Sequence, residues 1–193
     1  MSQITRIALC GPPGAGKSTV RRISEHLAGE LDLVVHHLRL ADPLYHAQGE
    51  IYRLSGRPLA DTGLQDGRLL NLLGVEMRRI NPNVLADHAR TRLVGIGQLL
   101  DSQPGRHAVI CDDMRPPDAS FMRELGFAFV EVGVPRDTAV QRRLLRGDMT
   151  LGAPDDPNEL GLESLEFMAR LDNGGSLDDL TASVRAFWNS VLV

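Results

Sequence analysis

Eight residues near the N-terminus constrain this chain more than any other stretch of it. Within "CGPPGAGKST", Gly11, Gly16, Lys17 and Ser18 satisfy the pattern G-x-x-x-x-G-K-[ST]. The pattern directly follows the apolar run "ITRIALC" and opens "GKSTVRRISEHLAGEL", so a strand enters it and a helix leaves it. Glycines at these places let the main chain wrap close to phosphate oxygens, where amide N–H groups and a helix N-terminus supply positive potential. Pro13, Gly14, Ala15, Gly16, Lys17, Ser18 and Thr19 are then the expected lining of a triphosphate cradle. Lys17 adds a point charge at the β/γ phosphates, and the Ser18 hydroxyl is a ligand for Mg²⁺. The pattern speaks for nucleoside triphosphate binding and leaves open what is done with it.

The remainder alternates strand and helix. Strands are expected in "LDLVVHHLRL", "RHAVIC", "FAFVEVGV" and "LEFMARLDN", and helices between them. Alternation of this kind gives an α/β fold with a parallel sheet. Between the second and third strands lie helical stretches at about 43–56, 64–80 and 82–103, more chain than a simple crossover needs. Ser176 is the expected N-cap of a closing helix. At 193 residues there is room for one sizeable core, and a formal charge of −4 argues against polymeric nucleic acid as a partner. Cys10 and Cys111 each end an apolar run without metal or redox spacing, so both read as buried free thiols. No signal peptide or membrane span is visible, and the expected setting is the cytoplasm.

Three groups of charged residues could complete a site. Asp112 and Asp113 follow the third strand, where ligands gather in such sheets, and Arg115 stands beside them. On the helix at 64–80, Leu70, Leu73, Met77 and Ile80 share one expected face, with Arg68, Asn71, Arg78 and Arg79 on the opposite side. A cationic stripe there suits a phosphorylated acceptor. Arg136, Arg142, Arg143 and Arg146 lead into "DMTLGAPDDPNELG", which reads as an exposed, mobile lid whose arginines close over a transferring phosphoryl group. An acceptor that is already a phosphate needs no general base, and no His–carboxylate pair stands out. His36 and His37 read as structural residues of the second strand, and His88 and His107 carry no ligand spacing.

With these pieces in order, the chain resembles the bacteriophage-type deoxynucleoside monophosphate kinases, with animal-type phosphomevalonate kinase a relative on the same scaffold. The resemblance rests on the phosphate loop, "ADPL" (Ala41–Leu44), "GRLLNLLGVEMRRINP" (Gly67–Pro82), "DDMR" (Asp112–Arg115), "RRLLRG" (Arg142–Gly147), "DDPNELGLE" (Asp155–Glu163) and "LDNGGSLDDL" (Leu171–Leu180). It implies a P-loop NTPase of three α/β/α layers around a parallel five-stranded sheet. The core would span about 1–40, 104–146 and 164–193, with a helical acceptor-binding insertion at about 41–103 and a lid at about 143–163. The implied reaction is ATP-dependent phosphorylation of a deoxynucleoside monophosphate, with Mg²⁺.

The resemblance also distributes roles. It favours Asp113 over Asp112 as the metal-side carboxylate. It puts acceptor contacts at Asp42, Tyr45, Arg68, Glu76, Arg78, Arg79 and Arg115, lid arginines at Arg143 and Arg146, and the adenine beside Asn173 and Gly174. Tyr45 replaces a lysine common in the family, and Asp156, Pro157, Asn158 and Glu159 stand where it commonly shows His-x-Ser-Glu. Tyr45 or Tyr52 could stack on a base. Phosphomevalonate or another phosphorylated metabolite is the alternative acceptor. A nucleotide-dependent binding switch ranks lower, because its guanine-reading N-K-x-D element is missing. The apolar tail "AFWNSVLV" either serves a homodimer contact or caps the core.

Overall fold

In a computed structural model of the chain, described over residues 3–61, 64–100, 104–146, 150 and 161–192, the apolar run before the phosphate loop is the central strand of a sheet. The strands are β1 (Gln3–Cys10), β2 (Leu33–Leu38), β3 (Arg106–Cys111), β4 (Ala128–Gly133) and β5 (Ala169–Asp172). They pair in parallel in the order β2-β3-β1-β4-β5. The helices are α1 (Lys17–Leu27), α2 (Asp42–Leu54), α3 (Gly67–Ile80), α4 (Val84–Leu100), α5 (Ala119–Glu124), α6 (Arg136–Arg146) and α7 (Leu177–Val191). The expected α/β fold with five parallel strands is therefore the observed one.

Strand residues alternate sides, and each side of the sheet has its own core. Ile7, Leu9, Ala108 and Ile110 pack with Val20, Ile23 and Leu27 of α1 and with Leu180, Val184 and Trp188 of α7. Ala8, Cys10, Val109 and Cys111 pack with Leu44 of α2, Leu85 and Ala89 of α4, and Met122 of α5. This double coverage explains why β3 reads as a run without polar alternation. The tail belongs to the first core. Trp188 is 1% exposed and its Nε1–H donates to Ser24 Oγ at 2.8 Å. Ser176 caps α7, accepting from the Asp179 amide while Asp179 reaches back to the Ser176 amide. Cys10 and Cys111 are buried free thiols. Burial pushes the Cys10 thiol up to about 12, and that of Cys111 is also raised. Among the described residues, no helix is long and apolar enough to cross a membrane.

Two expectations about α3 need correction. Ile80, assigned to the packed face, is 74% exposed, because the helix ends there and Asn81 turns the chain away in an extended conformation. Asn71 and Arg78 do not join Arg68 and Arg79 on the outside. They lie along the inner edge of the helix with Leu70 and Gly74.

Candidate active site

The phosphate loop spans the gap between the end of β1 and the start of α1, and its shape is set by what packs behind it. Gly11, Gly14 and Gly16 have φ of 145°, 87° and 94°. A Cβ on Gly11 would lie 2.5 Å from the Val132 carbonyl oxygen, one on Gly14 2.3 Å from that of Ala139, and one on Gly16 2.1 Å from Nδ2 of Asn173. Glycine is the residue that satisfies both the left-handed backbone and the lack of room. Asn173 is 6% exposed; its Nδ2 donates to the Ala15 carbonyl at 2.7 Å and its amide to Gly133 at 2.8 Å. Asn173 thus braces the loop from behind, while Gly174 beside it is exposed, its amide donating to Asp172. Lys17 is 8% exposed, and its Nζ donates to the Gly11 and Pro12 carbonyls at 2.5 and 3.1 Å.

In front of the loop opens a cavity of about 630 Å³. The loop residues Pro13 to Thr19 apart from Ala15 line one wall, and six cations surround it: Lys17, Arg21, Arg22, Arg39, Arg115 and Arg142. Against them stand the carboxylates of Asp112 and Asp113. A concave site with this charge balance suits a polyphosphate. The glycine cradle a Cβ would fill, the helix N-terminus and the cationic rim fit ATP; the hydroxyl and carboxylate oxygens of Ser18 and the aspartate doublet fit a hard cation such as Mg²⁺.

Arg142 faces the cavity with special force. Its Nη2 donates to the Asn173 carbonyl at 3.1 Å, while its buried Nη1 has no hydrogen-bond partner among the described residues. Orphaned buried donors are rare and costly, and an anionic oxygen would satisfy this one. Arg143 lies against the loop instead, its Cγ 3.1 Å from the Cβ that Gly14 lacks. The Arg146 side chain, the stretch at 151–160 and most of the expected lid lie outside the described residues. Arg142 stood in the sequence as one of four clustered arginines; only the packing of α6 against the loop singles it out.

A second, narrower cleft of about 60 Å³ lies beneath α3, walled by Leu40, Leu44, Leu70 and Leu85. It meets the cavity at Tyr45, Asp113 and Arg115, which line both. Tyr45 is held by the Arg39 guanidinium, 4.2 Å from its ring centre, and by Gln65, whose Nε2 donates to its hydroxyl at 2.8 Å. Burial, with the Asp113 charge, raises its pKa. Tyr52, two turns on, turns to Asp66, donating at 2.8 Å. In the cleft, Arg78 Nη2 donates to Asp118 Oδ1 at 2.7 Å, and Asp118 is 1% exposed. Asp42 pairs with Arg39 at 3.3 Å. Glu76 and Arg79 pair with each other at 2.7 Å and are open to solvent, and Arg68 is exposed too.

No protein-family model matches the chain. Among curated proteins it is similar to the adenylate kinase of Micrococcus luteus, 26% identical over 198 residues that cover 92% of this chain and 87% of the relative. Among solved structures it is similar to TT1252 from Thermus thermophilus, with a TM-score of 0.58 at 19% identity and 98% of each chain covered. It is also similar to the Mycobacterium tuberculosis APS kinase CysC, solved with AMPPNP and APS. That match has a TM-score of 0.57 at 18% identity, covering 98% of this chain and 99% of the other. The chain shares with both of these structures its fold, a parallel five-stranded sheet flanked by helices.

Within this fold, the aspartate doublet divides. Asp113 Oδ1 and Oδ2 accept the backbone amides of Leu40 and Ala41, each at 2.9 Å, so this carboxylate ties the end of β2 to the end of β3. Burial, and then the Asp112 charge, hold its pKa above the usual carboxylate value despite those bonds. Asp112 instead accepts from Arg21 Nε at 2.9 Å and pairs with His37 Nε2 at 2.7 Å. Burial works to raise its pKa, but His37 and Arg21 outweigh it and the carboxyl lies below its ordinary value. A His–carboxylate pair that did not stand out in the sequence is therefore formed by the fold. The two residues are 75 apart in sequence and meet only because β2 and β3 are neighbours. The histidine doublet at the C-terminal end of an apolar strand was the signal available.

Proposed function

We propose that this chain transfers the γ-phosphoryl group of ATP to the phosphate of a deoxynucleoside monophosphate, yielding the diphosphate and ADP. The observation that carries this reading is the junction of the two clefts at Tyr45, Asp113 and Arg115. A cationic cavity over a phosphate loop opens there into an apolar-walled slot with a guanidinium and a carboxylate at its side, Arg78 and Asp118. Phosphates belong in the first, and a base with hydrogen-bonding edges suits the second. The likeness to an adenylate kinase over most of the chain supports a nucleotide acceptor, and the AMPPNP complex of the APS kinase supports an adenine nucleotide as donor.

The chemistry asks little of acid or base groups. An oxygen of the acceptor phosphate attacks the γ-phosphorus, the bond from that phosphorus to the bridging oxygen breaks, and ADP leaves with the electron pair. The nucleophile is already anionic, so the barrier lies in alignment and mutual repulsion. The loop amides and Lys17 bind the β and γ oxygens. Arg142 offsets charge on the donor side. Arg115 stands where both clefts meet and serves the transferring group, with Arg78 on the acceptor side. Ser18 and an aspartate of the doublet would hold Mg²⁺, which when bound shields the charge of the β and γ phosphates.

The test is ADP release in a coupled assay with each of the four deoxynucleoside monophosphates, AMP and phosphomevalonate. A deoxynucleoside monophosphate should give the highest kcat/KM. Preference for AMP would move the acceptor to ribonucleotides, preference for phosphomevalonate to another metabolite. No stimulation by any nucleotide would overturn the reading.

A further inference from the structure

Proceeding from the nucleotide-binding reading above, we propose that His37 is a positioning residue. Through its Nε2–H, and together with Arg21, it holds Asp112 as the carboxylate that serves the metal side of the phosphate cradle, leaving Asp113 as a strut between strands. Three observations carry this. The first is alternation: side chains on β3 switch sides at each residue, and the doublet continues the switch beyond Cys111. Ile110 packs on the α1 side of the sheet and Cys111 on the other. Asp112 accordingly meets Arg21 of α1, and Asp113 meets the backbone that leads into α2. His37 pairs in register with Ile110, which places it on the α1 side as well.

The second is occupancy. Each Asp113 oxygen already accepts a main-chain N–H, and the Cys111 thiol adds a bond to Oδ1. Moving this carboxylate toward a cation would break the joint between β2 and β3. Each Asp112 oxygen holds one side-chain donor instead, and its remaining lone pairs are uncommitted among the described contacts. The third is location, since Asp112, His37 and Arg21 line the same cavity as Lys17 and Ser18.

The carboxylate only accepts, so the hydrogen between the pair sits on Nε2 and His37 acts as donor. A carboxylate near a metal is held by donors of this kind, and removing one costs about 10–100-fold in metal affinity. His37 acts through Asp112 and is not assigned to the reacting atoms.

The experiment measures Mn²⁺ binding to the full chain in the presence of AMPPNP, from the loss of the free-ion electron paramagnetic resonance signal. The variants are His37→Leu, His37→Gln and Asp112→Asn. Glutamine keeps an N–H donor at about the reach of Nε2 and cannot act as a base. His37→Leu and Asp112→Asn should weaken Mn²⁺ binding about tenfold or more, while His37→Gln stays within about threefold of wild type. AMPPNP affinity without metal should not fall in either His37 variant, and their melting temperatures should match. Wild-type Mn²⁺ affinity in His37→Leu, or a His37→Gln variant as weak as His37→Leu, overturns the assignment. So does a parallel fall in metal-free AMPPNP binding, which marks a general collapse of the cradle. If the wild-type chain does not bind AMPPNP at all, the nucleotide reading fails first and this inference with it.

Discussion

The phosphate loop and the cleft beneath α3 are built in opposite ways. In the loop the main chain forms the concave surface, and its shape is dictated from behind. Three glycines sit where a Cβ would strike Val132, Ala139 or Asn173, and Lys17 rests on the loop's own carbonyls. The cleft is built from side chains of α2, α3 and the end of β3, and its charges are largely engaged within the protein: Arg78 donates to Asp118, and Asp113 accepts from the Leu40 and Ala41 amides. A rigid backbone cradle suits any polyphosphate. A set of internally paired side chains can be retuned one residue at a time, and under the proposed reaction choice among acceptors falls to it.

The sharpest way to break this comparison is at Lys17. Lys17→Met should cost about 10²–10³ in kcat with little change in melting temperature, because the backbone cradle stands without it. A large stability loss instead would show that the lysine holds the loop together. Next in size is Arg78→Ala. It strands Asp118, whose side chain is 2% exposed, without its guanidinium, and should lower unfolding free energy by about 3 kcal/mol in urea melts. A loss below about 1 kcal/mol would mean that the pair is not what shapes the cleft.

Arg142→Ala should raise the KM for ATP about tenfold, near 1.4 kcal/mol, and leave the acceptor KM alone. An equal effect on the acceptor would erase the division between the two regions. The His36–His107 pair tests the frame that holds both. Their rings stack with centroids 5.4 Å apart and share a 3.1 Å contact between Nε2 and Nδ1, and burial, then the His107 charge, lower the His36 pKa. A depressed histidine binds fewer protons folded than unfolded, so its contribution is intact above pH 6.5. It declines as pH falls through the lowered folded value. Urea melts from pH 7.5 to 5.5 should show this decline, and His36→Gln should flatten it. Smallest of all, Arg79→Ala should shift stability by no more than about 0.5 kcal/mol, since its pairing with Glu76 is open to solvent. A marked rise in acceptor KM in that variant would instead put Arg79 at the acceptor site.

Read from the residues alone, the chain declares its phosphate loop, its strand–helix alternation and the cap at Ser176, because each depends on neighbours within a few positions. A glycine forced by a positive φ, a capping serine and an apolar strand are local consequences of local chemistry. The pairing of His37 with Asp112, the Nη1 of Arg142 that lacks a hydrogen-bond partner among the described residues, the contact of half-buried Arg78 with buried Asp118 and the split between two adjacent aspartates were not legible in that way. Each joins segments far apart in sequence, and the choice turns on strand order and on which side of a sheet or helix a residue falls. The same arginine is a solvated charge on one face and a matched, desolvated one on the other. Only the packed fold sets the dielectric and the partner that decide between them.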